Sequence, residues 1–164
     1  YEHLNIEPDA FTIAKGLGGG HPIGALLVKE FANIFEKGDH ASTFGGNPFA
    51  CKAGITVANE IEKRNLIKNS EKRGQQLENG LLEIIECFPN HFIETRGLGL
   101  LKGLVIKDRS ALSSQIIVNN AIAEGLLLIS AGEKVIRIVP PLVINEKQVM
   151  ILINKIKDTI RKTI

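Results

Sequence analysis

Lys15 has the clearest chemical potential in this sequence. It follows a short, mostly apolar run, Ala10 to Ala14, and opens a loop, Gly16-Leu-Gly-Gly-Gly-His-Pro22, that holds four glycines. The run reads as a buried strand, and the end of such a strand is where α/β folds place ligands. Burial disfavours the charge on an ammonium, so a lysine withdrawn from water can attack an aldehyde. The alternative is an ordinary solvated loop lysine, and residue type with position leaves both readings open. The glycines let the loop backbone take positive φ and approach another group closely.

Two further places could hold an anion. Ser42 and Thr43 lie in a polar, glycine-flanked loop, Gly38 to Gly46, just ahead of a helix start at Asn47-Pro48. Hydroxyls and backbone N–H groups so placed can bind an anion, or can simply shape a turn. Arg137 stands within Val135-Ile-Arg-Ile-Val139, ahead of Pro140-Pro141. A guanidinium on an apolar strand needs a partner or a site, and its planar fork suits a carboxylate. Alternation sets Ile136 and Ile138 on the opposite face and Val135 and Val139 beside it. The exposed face of an edge strand is an equal alternative on spacing alone. Arg96 fits a structural salt bridge better than a site.

Other chemistries lack their spacing. The pattern G-x-G-x-x-G fails from Gly16, where His21 takes the last place, and from Gly97, where Lys102 does; no G-x-x-x-x-G-K-[ST] occurs. His3, His21, His40 and His91 show neither metal-ligand spacing nor a triad order, so they read as structural or surface residues and no metal is expected. Cys51 and Cys87 are far apart and read as small core residues in a reduced compartment.

The elements that must carry these residues alternate. A second strand is expected over Gly24 to Val28 and a short helix over Lys29 to Glu36. A helix capped by Asn47 runs to about Arg64, with Cys51, Ile55, Ala58 and Ile61 at helical spacing. After a break near Asn65, another helix runs to Cys87 with Leu77, Leu81, Ile84, Ile85 and Phe88 inward. Strands follow over Phe92–Arg96 and Leu100–Ile106, then a helix from Ser110 to Gly125. Strands over Leu126–Ile129 and Val135–Val139 precede a last helix. That helix opens on an Asn145/Gln148 capping box and buries Val149, Leu152, Ile153, Ile156 and Ile160. The seam is placed around residues 65–75, between a loop-rich portion, 1–70, and an α+β unit, 71–164.

With 44% hydrophobic and 23% charged residues among 164, the composition is that of a globular protein. Twenty basic against eighteen acidic residues leave a formal charge of +2, one Tyr and no Trp, and no dense basic run. No nucleic-acid partner is expected. With no signal segment and no apolar run of spanning length, no membrane partner is expected either, and the location reads as cytoplasmic. The start at Tyr1-Glu2-His3, without methionine and close to a strand, reads as a cut end.

Three stretches together resemble the class III aminotransferases. Phe11 to Gly24, centred on Lys15, is similar to their Schiff-base lysine segment; Gly38 to Pro48 resembles their phosphate-contacting segment. Val135 to Ile144 resembles their carboxylate-binding strand, and Arg96-Gly-Leu-Gly-Leu-Leu fits the intervening hairpin. The likeness covers essentially the whole chain and is strongest to the ornithine/acetylornithine group. It implies an α/β fold of fold-type I, with residues 1–70 closing the large cofactor-binding domain and 71–164 forming the small C-terminal domain. It implies pyridoxal phosphate attached through Lys15, its phosphate hydrogen-bonded by Thr43 across a homodimer with shared active sites. Ser42 would lie beside the substrate, and Arg137 would hold a carboxylate of glutamate or 2-oxoglutarate. The implied reaction moves an amino group between N-acetylornithine and 2-oxoglutarate in arginine biosynthesis, with ornithine or succinylornithine as alternative donors. Family members are more than twice as long, so this chain alone is expected to be inactive. The competing reading is a non-catalytic dimerisation fragment.

Overall fold

Asn65 takes a left-handed backbone, φ +50, which asparagine tolerates better than most residues. With Arg64 it separates helix α1 (Pro48–Lys63) from helix α2 (Leu66–Cys87). The computed structural model describes residues 1–164, and the chain divides there into two units, Tyr1–Arg64 and Asn65–Ile164.

In the first unit, β1 (Ala10–Ile13) and β2 (Ala25–Val28) form an antiparallel pair, with Ala10 opposite Val28 and Ile13 opposite Ala25. Helix α1 begins as its sequence predicts: Asn47 Oδ1 accepts the Ala50 N–H at 2.9 Å, and Pro48 occupies the first turn, where no backbone donor is needed. Two expectations are corrected. Strand β1 is not buried, since Phe11 is only partly covered and its other three residues are exposed; a two-stranded sheet has no second layer in this unit. The helix expected over Lys29 to Glu36 shrinks to one 3-10 turn at Glu30–Ala32. Asn33 Oδ1 accepts the Phe35 N–H at 3.4 Å and the Asp39 carboxylate accepts the Glu36 N–H at 2.8 Å. Those side chains offer the backbone a local alternative to helix.

The second unit is a four-stranded antiparallel sheet in the order β3-β4-β6-β5, from β3 (Phe92–Arg96), β4 (Lys102–Ile106), β5 (Ile129–Ser130) and β6 (Val135–Ile138). One face carries Leu104, Ile106, Ile136 and Ile138 into a core. That core is shared with α2, α3 (Ser114–Ala123) and α4 (Glu146–Thr163), which contribute Leu77, Leu81, Ile117, Ile153, Ile156 and Ile160. The predicted capping box opens α4, with Asn145 and Gln148 exchanging bonds of 2.9 and 3.0 Å. Ser113, not Ser110, caps α3, accepting the Ile116 N–H at 3.3 Å. The Ser110 hydroxyl is engaged by the Leu112 N–H and by His91 Nδ1. The strand expected from Leu126 reduces to Ile129–Ser130, and that expected from Leu100 begins at Lys102. No helix is long and apolar enough to cross a membrane.

Candidate functional site

Lys15 has φ +53. For a residue with a Cβ this left-handed region costs about 1–3 kcal/mol and persists only where the surroundings over-determine it. Here they do. Lys15 opens a 3-10 turn, Lys15–Gly18, in which Leu17 N–H donates to Ala14 O and Gly19 N–H to Gly16 O, both at 3.1 Å. Behind it, Leu17 and Ile23 lie against α1 at Gly54, where even an added Cβ would keep 3.7 Å from both. The His21 ring meets Phe49 of α1 edge-on, with centroids 4.8 Å apart. The lysine itself is exposed rather than withdrawn from water. Ion pairs of this unit involve Lys29 and Arg64, and Lys15 has none.

Ser42 and Thr43 differ in what their hydroxyls do. Ser42 Oγ accepts the Gly45 N–H at 3.1 Å and so braces the turn before α1. Thr43 is exposed and its hydroxyl makes no bond within the chain. A hollow of about 810 Å³ opens between the two glycine loops, lined by Pro22, Gly24, Leu26, His40, Ser42 and Gly45 among others. Ser42 reaches it; Lys15 and Thr43 do not line it.

Arg137 belongs to the second unit. Ile136 and Ile138 are 0% and 2% exposed, while Arg137 faces the helix-free side and is exposed. β6 is an interior strand, not an edge: Arg137 lies opposite Gly103 of β4 on one side and Ile129 of β5 on the other. Since Arg96 of β3 lies opposite Gly103 as well, the row across this face runs Arg96, Gly103, Arg137, Ile129. Arg96 is paired, its Nε donating to Glu94 Oε1 at 2.5 Å, in keeping with a salt bridge at that position. Arg137 has no ionic partner in the chain.

A charged cluster on the opposite face anchors the same end of the sheet. Lys102, with a side chain 8% exposed, places Nζ 2.6 Å from Glu78 Oε2 of α2 and 3.0 Å from Gly97 O. At that distance the Lys102 ammonium holds Glu78 Oε2 in an ion pair. Thr95 donates its hydroxyl to the other carboxylate oxygen. Burial pushes the Glu78 carboxyl upward, but the Lys102 ammonium and Thr95 hydroxyl outweigh it and hold it below its ordinary value. Sequence reading missed this cluster, because nothing in the spacing of Glu78 and Lys102 marks them as partners. Lys102 on a buried strand is the one signal that could have found it.

Lys15, Ser42 and Thr43 therefore share the first unit and Arg137 lies in the second. The family model described as Aminotransferase class-III matches residues 1–160. An acetylornithine aminotransferase of Prochlorococcus marinus is 62% identical over 162 residues, covering 99% of this chain and 39% of that protein. One from a Synechocystis strain is 54% identical over 149 residues, covering 91% of this chain and 35% of its own length. Among solved structures, an acetylornithine aminotransferase from Elizabethkingia anophelis superposes with a TM-score of 0.90 at 30% identity, over 98% of this chain and 43% of that one. An ornithine aminotransferase from Plasmodium yoelii gives 0.91 at 29%, over 99% and 44%. The chain thus spans well under half the length of the relatives it matches.

Proposed function

The chain belongs to the class III aminotransferases, and from that premise we propose that it is the C-terminal portion of a pyridoxal-phosphate enzyme of arginine biosynthesis. The enzyme moves an amino group between N-acetylornithine and 2-oxoglutarate, in the cytoplasm and as a homodimer. The first unit belongs to its large cofactor-binding domain and the second to its small domain. The name shared by the curated relatives supports the donor. Ornithine is the second reading, supported by the equal structural likeness to ornithine aminotransferases.

The residues fit the cofactor by type: an exposed lysine amine, a threonine hydroxyl with no partner in the chain, and glycine loops that leave room for a ligand. When bound, pyridoxal phosphate supplies a conjugated ring that accepts electrons from the substrate carbon. Lys15 is the point of attachment. Its Nζ would be the group placed to take up a proton at the substrate carbon that bears the amino group. Thr43 donates its hydroxyl to the phosphate of the neighbouring subunit's cofactor. Ser42, at the hollow, lies beside the substrate, and Arg137 binds a substrate carboxylate through its planar fork. The isolated 164 residues are inactive.

The observation that carries this reading is the strained, positive-φ backbone of Lys15 in a turn packed on α1. Borohydride reduction of the full-length protein followed by peptide mapping tests it. A single reduced adduct on Lys15 is expected; an adduct on another lysine, with Lys15 unmodified, sinks the assignment.

A further inference from the structure

The helix-free face of the sheet has a gap where its charge is concentrated. Gly103 stands between Arg96 and Arg137 in register. The two arginine-bearing strands are therefore two strand spacings apart, about 10 Å, with no side chain between them. A Cβ built on Gly103 would lie 3.0 Å from Val135 Cγ1 and 3.9 Å from Arg96 Cβ, and no atom of Arg137 comes within 4 Å of it. The space above Gly103 is thus walled by Val135 and the Arg96 stem and open toward Arg137. Other cations near it are committed elsewhere. Arg96 is paired with Glu94, Lys102 is turned to the opposite face against Glu78, and Lys134 donates to the carbonyls of Ser110 and Leu112. One unpaired guanidinium therefore borders one empty slot.

We infer that Gly103 is a specificity-determining position, whose missing side chain leaves the slot in which a substrate carboxylate lies against the sheet to reach Arg137. The inference rests on the carboxylate-binding reading of Arg137 and adds the residue that makes room for it. A carboxylate approaching a guanidinium side-on, for two parallel N–H···O bonds, needs clearance in the guanidinium plane. A branched side chain at position 103 would extend into the open space beside Arg137. The Glu94–Arg96 pair keeps the second guanidinium from competing for the same anion.

The test uses the full-length holoenzyme and glutarate, a non-reacting dicarboxylate, with its dissociation constant measured by calorimetry. Gly103→Val should weaken glutarate about tenfold, the effect of losing roughly one good hydrogen bond to a charged group. The double variant Gly103→Val/Val135→Ala removes the wall that the new side chain would press, while leaving the slot filled, and should bind glutarate as weakly as the single variant. Wild-type affinity in either variant overturns the inference, the double then showing that strain at Val135 caused the loss. Arg137→Lys serves as the control. If it binds glutarate as tightly as wild type, the carboxylate reading of Arg137 fails and the slot fails with it. If it weakens binding while Gly103→Val does not, only the slot is wrong.

Discussion

Thr43 offers a hydroxyl that no group of its own chain takes up, next to Ser42, whose hydroxyl oxygen already accepts the Gly45 N–H. If Thr43 donates to the cofactor phosphate, Thr43→Val removes a bond to a charged group and should weaken cofactor binding by about 1.5–3 kcal/mol. Titration of the apoenzyme with pyridoxal phosphate reads this directly, and an unchanged dissociation constant contradicts the role. Sharing across the dimer has its own signature. In mixed dimers of Thr43→Val and Lys15→Ala chains, both lesions fall in one pocket, so the other should bind cofactor as wild type does. Two impaired pockets would place Thr43 in its own subunit's site. Glu78 is the residue that ties stability to pH. Its carboxyl is held below its ordinary value in the folded state. The pairing therefore contributes fully above the unfolded value and is lost as pH falls through the folded one. Denaturant unfolding of wild type should lose stability below about pH 4.5 more steeply than Glu78→Gln, in which Lys102 has no titrating partner. Parallel acid limbs for the two proteins would remove Glu78 from the account.

At the scale of elements, glycines inside α2 show how closely its neighbours approach. A Cβ on Gly74 would lie 2.5 Å from Gly99 O, and one on Gly80 the same distance from Ile153 Cγ1 of α4. Helix interiors disfavour glycine by about 1 kcal/mol relative to alanine, so propensity alone would make Gly74→Ala stabilising. The backbone of the β3–β4 turn cannot yield as a flexible side chain can, and Gly99 is itself at φ +50. Gly74→Ala should instead destabilise the second unit by about 1–3 kcal/mol. Thermal unfolding decides the sign, and a raised Tm would mean that the turn gives way freely. Arg73 reinforces the same helix. Its buried guanidinium reaches Glu146 at 3.0 Å and Gln76 at 2.5 Å, joining α2 to the first turn of α4.

For the molecule as a whole, the two units differ in how much of their apolar surface they bury. The second has a continuous core spanning all three helices and the sheet. In the first, Phe31, Ile34, Phe44 and Phe49 are between 71% and 83% exposed, more apolar surface than a small soluble unit leaves uncovered without a partner. Residues 65–164 expressed alone should unfold cooperatively and sediment as a monomer. The 164-residue chain should self-associate and show no transaminase activity. A monomeric, active 164-residue chain would refute the view that its exposed faces and its chemistry both require further protein.

Local chemistry was legible in the residues themselves. Asn47 with Pro48 and Asn145 with Gln148 announce the starts of α1 and α4, because a cap is satisfied within four residues of itself. Alternation in Val135 to Val139 correctly sets Arg137 opposite two buried isoleucines, because strand geometry fixes that from neighbours alone. The motifs around Lys15, Ser42 and Thr43 likewise pointed to a family from short stretches. Only tertiary structure decided what depends on partners far along the chain. Ser110 lost its capping role to His91 and a turn, and β6 became an interior strand only when β5 paired with its outer side. Lys15 proved exposed because β1 has no covering layer in its unit. Glu78 met Lys102, and Gly103 met Arg137, through helix packing and strand register, and no spacing in a linear sequence encodes a register.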